Sequence, residues 1–598
     1  MAKFLHIQQF NKALDYLDMQ PVLRPLNYTL LGNGQSFQQF GQKAKKIDEA
    51  KESWLLDIYP ENAFKPFDNL SELDAEFSGL YFHKMKFSID LFRDVFGVKS
   101  LYYYFKDGLL IASNELRAVI ACLPSMPTAD EDEIADYFNP AMADDFVNDN
   151  TFFKDIKRVL PGELLHFRAG KMERSFYWEA SLKIKRNSQS LIRDFKARFE
   201  SILRKKTADQ SNIAANLSGG LDSSSICAVI SHQSNKNLKG IFFDSEGDAS
   251  FEKAFAQEVA SKGVFELESV LKLEDLYTST KKITALTCKP ESMIIPSAIF
   301  LPIMNAAAQH KSEILVSDHG GESTVGYGYE FIRDLIAKNQ LRKAKEALKS
   351  KWYFEEAQIP FEEYFIQELL SHSGIPEGRL FIQIALSGTV PLKILWDLLR
   401  KRAQRKIIAS SDASILLKKQ VPTKRRNHLK NWYQSHANRH EFLYLKNSLL
   451  APGCHTMEIL DAMGRQYKLI STYPFLDKEL LAISASVPPE TNYAVGYLRG
   501  TLREAMHGIL PENVRLRTQK ATFNDFGYAV LLELEASCDG LFLEQHLLWT
   551  YIDKTVYEVH LSKVQDQKLD LKSKNRHIWL CSKVLYLGIW LDEFYPAS

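Results

Sequence analysis

The stretch that most restricts what this chain can fold into is NLSGGLDSSSICAVI, Asn216–Ile230. An apolar strand end, two adjacent glycines and a helix-forming run follow one another directly. The glycines let backbone amides approach a ligand that a Cβ would hold off. The start of the following helix carries unpaired N–H groups and the positive end of the helix dipole, which favour an anion. Such a unit belongs to a parallel sheet flanked by helices. A Walker-type loop has a lysine after its last glycine; here Asp222 stands nearby instead. A carboxylate repels phosphate, so Asp222 makes sense as a holder of Mg²⁺, which bridges to phosphate oxygens. Ser218, Ser223, Ser224 and Ser225 add hydroxyl donors. A lone Ser-Gly-Gly would be satisfied by a plain glycine turn before a helix. The full Ser-Gly-Gly-x-Asp-Ser-Ser directly after a strand is far more specific.

The surrounding sequence supports the parallel sheet. NIAANL, LKGIFFD, VFELESV and SEILVS read as strands, and SSSICAVISHQ, FEKAFAQEVASKG (ended by Gly263) and LEDLYTSTKKITAL as the helices between them. In such sheets ligands sit at the carboxyl ends of strands. Two strand ends here are polar and glycine-rich, SGGLDSS and SDHGGES. The second offers His319, either a group that moves a proton or a loop histidine bonded to backbone, and Glu322 as a candidate second carboxylate on the same Mg²⁺. Beyond Gly328 the chain reads as mostly helical, with a basic run at Lys418–Asn431. That run is either a solvated face or a contact for a peptide or partner protein. The first ~180 residues differ: short aromatic-rich strands with hairpin signals at Lys106–Gly108 and around Gly170.

Composition sets outer limits. A chain of 598 residues has room for two to four domains. Its net charge of +1 offers no field for nucleic acid. No run of eighteen apolar residues would span a membrane, and the opening MAKFLHIQQF lacks a signal-peptide pattern. The six cysteines are scattered, with no CxxC pair, as expected of reduced thiols in a cytoplasmic protein.

These residues resemble the N-type ATP pyrophosphatases, and among them the asparagine synthetase family. SGGLDSS (Ser218–Ser224) matches that family's phosphate loop, and Ser317-Asp318-His319-Gly320-Gly321-Glu322 its later strand end. YPFLDKELLAISASVPPE (Tyr473–Glu490) is similar to its PFLD segment, and LRGTLREAMHGILPENVRLRTQKATFND (Leu498–Asp525) to the stretch that carries an active-site lysine, here Lys520. RDVFGVKSLYYYFKDGLLIASNELRAVIA (Arg93–Ala121) is similar to the family's glutaminase-like domain. The resemblance implies an α/β chain. Residues 1–185 form an Ntn-hydrolase-like α+β domain of glutaminase type. Residues 186–598 form an adenine-nucleotide α-hydrolase-like (PP-loop) parallel-sheet synthetase domain with a helical C-terminal part and a helical insertion at about 329–450. It also implies the chemistry: ATP with Mg²⁺ adenylates a carboxylate, pyrophosphate leaves, and an amine displaces AMP.

A working glutaminase of this kind attacks glutamine with an N-terminal cysteine. Here Met1 is followed by Ala2 and Lys3, the first cysteine is Cys122, and the family's NGEIYN-like segment is missing. Relatives with an inactive front domain include β-lactam synthetases, carbapenam synthetases and lasso peptide cyclases. HGG followed by a carboxylate, the FEKAFAQEVASKG segment and the long helical region resemble the last of these. Asp318 and Glu322 depart from the usual glycine and aspartate of the family's strand end.

The resemblance implies that ATP lies on Leu217, Ser218, Gly219, Gly220, Leu221, Asp222, Ser223 and Ser224, with Phe243, Ser317 and Asp318 nearby, and that Asp222 and Glu322 hold Mg²⁺. Lys520 stabilises developing negative charge. His319 takes the proton of the attacking amine, oriented by Glu458, which stands upstream of the PFLD segment as a glutamate does in β-lactam synthetases. The implied partners are a precursor peptide, a leader-binding protein and a cysteine protease. The competing expectations are a small-molecule amide synthetase, either β-lactam-forming or ammonia-dependent asparagine-forming, and a non-catalytic pseudoenzyme.

Overall fold

In the front part of the chain, alternating strands build two six-stranded antiparallel sheets. The computed structural model describes residues 4–9, 29–32, 36–40, 45–48, 52–60, 69–83, 85–138, 148–178, 187–233, 236–245, 247–291, 296–326, 328–349, 360–372, 376–400, 416–418, 453–493, 498–518, 521 and 523–596. One sheet runs Ile156–Arg158, Tyr102–Lys106, Leu109–Ser113, Phe4–Gln9, Ser36–Phe40, Thr29–Gly32. The other runs Lys171–Phe176, Glu163–Arg168, Ser88–Arg93, Glu76–His83, Glu52–Tyr59, Lys45–Asp48. Alternate residues of both sheets meet in one core: Tyr103, Leu110 and Ala112 from the first pack with Leu55, Leu80, Ile89, Leu91, Leu165 and Phe167 from the second. This is the period-2 pattern of a sandwich. Both expected hairpins form. Asp107 and Gly108 have φ of 51° and 75°, and Ala169 and Gly170 have φ of 48° and 73°. Two successive left-handed residues are what a two-residue hairpin turn of this twist requires.

From Ser188 the rhythm changes to strand and helix. Asn187 caps the helix Ser188–Thr207 by accepting from Ser190 N at 2.8 Å. Leu191, Phe195, Phe199, Ile202 and Leu203 form its buried stripe. Five parallel strands follow, in the order Glu266–Val270, Asn237–Phe243, Asn212–Asn216, Ile314–Val316, Ile470–Thr472. Helices Leu221–Gln233, Glu252–Gly263 and Leu276–Thr287 form where the sequence places them.

The helix Glu252–Gly263 ends at Gly263, as expected, and Val264 follows it in the left-handed conformation, at φ 54°. Gly263 is needed for space: a Cβ there would lie 2.6 Å from the Phe265 ring and 2.7 Å from Ser231 Oγ. Among the described residues after Gly328 helices predominate, as expected, and Ile470–Thr472 adds the fifth strand of the sheet. The helices Tyr329–Ala337, Leu341–Leu348, Phe361–His372 and Glu377–Ser387 share a separate core that includes Ile332, Ile336, Phe365, Leu380 and Ile384. Of the basic run, Lys418 is described; the remainder lies outside the described residues. Among the described residues no helix is long and apolar enough to cross a membrane. The five cysteines with described side chains are free.

The two halves are joined by shared packing. Phe152 and Phe153 of the front part pack at a tilt against Trp590 of the last helix, at ring distances of 5.5 and 5.3 Å.

Candidate active site

Strands Asn212–Asn216 and Ile314–Val316 lie side by side in the sheet, and their outgoing connections diverge. A crevice opens at such a point. Leu217, fully buried, continues the first strand by donating from its N to Ile241 O at 2.9 Å. The chain then turns sharply. Ser218 N donates to Ser223 Oγ at 3.1 Å, the two hydroxyl oxygens lie 2.9 Å apart, and Gly220 N donates to Ser218 Oγ at 3.3 Å. Gly219 has φ +75°, and a Cβ there would stand 2.4 Å from Glu252 O. No other residue fits that turn without moving the neighbouring helix. Leu221 and Asp222 begin the helix. Ser224 Oγ and Asp222 Oδ1 are both buried and have no hydrogen-bond partner among the described residues.

The second loop comes from the adjacent strand. Ser317 N donates to Thr472 O at 3.0 Å, and Gly321 N donates to Asp318 O at 3.0 Å. Asp318 is close enough to Cys227 that its charge adds to burial in raising that thiol. Gly320 has φ +86° and is pressed against Leu476 of the PFLD segment. Gly321 is the point of contact between the loops: a Cβ there would lie 2.7 Å from Asp222 Cγ and 2.8 Å from its Oδ2. Glu322 follows in the first turn of the helix Gly321–Val325. The structure therefore sets the loop of Asp222 against the loop of Gly321.

A buried carboxylate oxygen without a partner, facing a loop of backbone amides and hydroxyls, suits a hard cation that shares a polyanion. Among the described residues no group of three His, Cys, Asp or Glu side chains surrounds such a point. A cation on Asp222 would take most of its ligands from phosphate and water, as Mg²⁺ commonly does.

Two arginines complete the crevice, and sequence reasoning passed over both. Arg499 donates through Nη1 to Asp222 Oδ2 and through Nη2 to Gly321 O at 2.9 Å, joining the two loops. Arg517 donates to Gly219 O and to Glu252 Oε1, each at 2.6 Å, and stacks over Phe255 at 4.5 Å. Ala521 N also donates to Glu252 Oε1, at 3.3 Å. Both arginines lie in the Leu498–Asp525 stretch, in LRG and RLRTQK, where only the lysine was singled out. Lys520 itself lies outside the described residues.

The remaining expected residues fall less simply. Phe243 is buried at the end of its strand, edge-on to Phe526 at 5.3 Å. His319 packs between Phe300 and Tyr473, with ring distances of 5.4 and 5.6 Å, and its Nδ1 bonds Ser317 Oγ at 2.9 Å. Desolvation lowers its pKa from the ordinary 6.5 to about 4. The expected pairing of His319 with Glu458 is not made. Glu458 is buried, and its carboxylate meets Arg93 Nη1 at 2.9 Å, Arg158 Nη1 at 3.4 Å and Lys289 Nζ. Away from water a carboxylate is stable only beside positive charge, and a neutral imidazole cannot compete with three cations. Burial alone would raise the Glu458 carboxyl, but Arg158, Lys289 and Arg93 hold it well below the usual range.

The front domain reaches the crevice wall as well. Glu76 Oε1 accepts from Lys206 Nζ, from Thr472 Oγ1 at 2.8 Å and from Tyr473 N at 3.1 Å. It thereby holds the backbone that carries Tyr473 against His319.

Comparison with known proteins gives two domain matches, asparagine synthase over residues 194–592 and a glutamine amidotransferase domain over residues 63–178. The chain is 23% identical over 533 residues to asparagine synthetase [glutamine-hydrolyzing] 1 of Bacillus subtilis, covering 87% of this chain and 78% of that protein. It is 26% identical over 302 residues to amidase chyE of Penicillium rubens, covering 45% of this chain and 42% of that one. Among solved structures, glutamine phosphoribosylpyrophosphate amidotransferase from B. subtilis aligns over 46% of this chain and 66% of its own at 9% identity, with a TM-score of 0.20, too low to bear on the site.

Proposed function

We infer the function from one premise: the chain belongs to the asparagine synthase family, whose members are ATP-dependent C–N ligases that form AMP and pyrophosphate. The reading is that this chain adenylates an Asp or Glu side-chain carboxylate of a ribosomal precursor peptide. It then closes a macrolactam ring with the peptide's N-terminal amine, in the manner of a lasso peptide cyclase. A leader-binding protein and a cysteine protease of the same pathway belong to this reading. The observation that carries the nucleotide half is the meeting of the two loops at Gly321 and Asp222, with the Asp222 Oδ1 atom buried and without a partner among the described residues. His319 in the HGG loop and the long helical region support the peptide half.

The residues divide the work. Amides of Ser218–Ser224 and the helix they open bind the phosphates. Asp222, with Glu322, would hold Mg²⁺, whose charge neutralises the phosphates. Lys520 is proposed to stabilise the oxyanion of the acyl transfer. His319, with its pKa lowered to about 4, is neutral throughout the physiological range and offers a lone pair to the amine proton. Its neutral form is lost only as pH falls towards that value, so no rate change near pH 6.5 is expected from it.

The test separates the two half-reactions. His319→Ala should keep ATP–pyrophosphate exchange with the peptide and still yield hydroxamate with hydroxylamine, a nucleophile that needs no base. Ring closure, followed by mass spectrometry, should fall by about 10²–10⁴-fold. Loss of trapping along with closure would assign His319 to nucleotide binding or structure, and retention of both would make it a bystander.

A second expected result concerns the amine source. Cys122 is the single cysteine in residues 1–185, and burial pushes its thiol up to about 12, where no useful thiolate exists near neutral pH. Incubation with glutamine should release no ammonia above background, and measurable hydrolysis would restore the glutaminase reading. The name of the B. subtilis relative points to asparagine as a rival product; asparagine formed from aspartate, ammonium and ATP by the purified chain, with no glutamine hydrolysis, would establish ammonia-dependent synthesis instead.

A further inference from the structure

Arg499 occupies the place where a cation is wanted. It caps the helix Gly500–Ala505 in the left-handed conformation, φ 65° and ψ 38°, which an L side chain adopts at a cost. The surrounding contacts hold it there. Thr501 donates from N and from Oγ1 to Asn492 Oδ1, at 3.2 and 2.5 Å, and Asn492 Nδ2 donates to Val325 O at 3.4 Å. The arginine is thus tied to the helix that Gly321 opens. Its guanidinium fork spans the crevice, one arm on the Asp222 carboxylate and the other on Gly321 O.

That carboxylate is the one whose other oxygen is buried without a partner among the described residues. A guanidinium and a divalent cation on the same carboxylate repel each other. The guanidinium fork also matches phosphate oxygens at least as well as it matches a carboxylate. We propose that Arg499 is a resident counter-ion of the nucleotide site: it holds Asp222 and the second loop together while the site is empty. It exchanges the carboxylate for phosphate oxygens when the metal–nucleotide complex enters. The inference rests on the two loops being the ATP site and is indifferent to the acceptor substrate.

The two roles have opposite signatures. In Arg499→Met, Asp222 loses its internal cation, so Mn²⁺ alone should bind at least about fivefold tighter than to the native chain. Mn²⁺ with a non-cleavable ATP analogue should bind weaker by a similar or larger factor. Both are read by electron paramagnetic resonance and by calorimetry on the full chain, with no turnover needed. Asp222→Asn in the Arg499→Met background should remove the gain in Mn²⁺ affinity, placing the metal on that carboxylate. If Arg499→Met does not fold, Arg499→Lys, which can reach only one partner, should show the same gain and loss at smaller size. Unchanged or weaker Mn²⁺ binding in the folded variant, beside a native chain that binds the analogue, overturns the counter-ion role alone. A native chain that binds no analogue overturns the reading of the site as well.

Discussion

Asp222→Ala should bring ATP–pyrophosphate exchange down by about three orders of magnitude or more, because a metal's neutralisation of phosphate is worth several kcal/mol at the transition state and each ~1.4 kcal/mol is a factor of ten. The structure gives the reason in two parts. Asp222 is the carboxylate on which the two strand-end loops converge, in contact with Gly321 and bonded to Arg499. It also keeps one buried oxygen without a partner among the described residues, where a cation is the natural occupant. The measurement is exchange of labelled pyrophosphate into ATP in the presence of the carboxylate substrate. Exchange within tenfold of the native rate would remove Asp222 from the metal site.

The second large effect is on stability. Glu458→Leu should destabilise the chain by about 3–5 kcal/mol, because removing one partner of a buried ionic cluster leaves uncompensated charge. Arg93 and Arg158 come from the front part, Lys289 from the segment after the helix Leu276–Thr287, and Glu458 from the helix Gly453–Gln466. The cluster therefore joins distant parts of the chain. The comparison is the urea dependence of tryptophan fluorescence for native and variant chains, or soluble yield if the variant does not survive purification. An unfolding transition within ~1 kcal/mol of native would show that the cations find other partners. The pH dependence follows from the direction of the shift. The Glu458 carboxyl is held well below its ordinary 4.5. Its stabilisation is fully present above that unfolded-state value and is lost as pH falls through the lower folded value. The gap between native and Glu458→Gln chains should stay constant above pH 5 and narrow only in stronger acid.

Glu458 also shows where sequence reasoning loses its hold. Its distance upstream of the PFLD segment made it a candidate partner for His319. Nothing local to either residue says that Arg93, 365 positions away, will reach it first. Arg499 and Arg517 were missed for the same reason. They meet Asp222 and Gly219 across 277 and 298 positions, and arginine in a helical stretch carries no local mark of what its fork will grip. The strand Ile470–Thr472 is three residues long, too short to show a period of two, and exists because Ile314–Val316 offers it an edge.

By itself the sequence determined most of the elements and the turn of the main loop, because both are local. The alternation of strand and helix from Asn212 follows from runs a few residues long. Gly219 and Gly220 announce a turn, Gly219 at a point no Cβ can enter, and Asp222 in place of a lysine is the local mark behind the metal-bridged phosphate proposed above. Only the tertiary structure decided which charges meet. It set Arg499 on Asp222, gave Glu458 to three cations instead of to His319, and packed His319 between Phe300 and Tyr473, where desolvation lowers its pKa to about 4. The physical reason is that pairing and desolvation depend on distance through folded protein, and a buried charge takes the strongest counter-charge that the fold brings within reach.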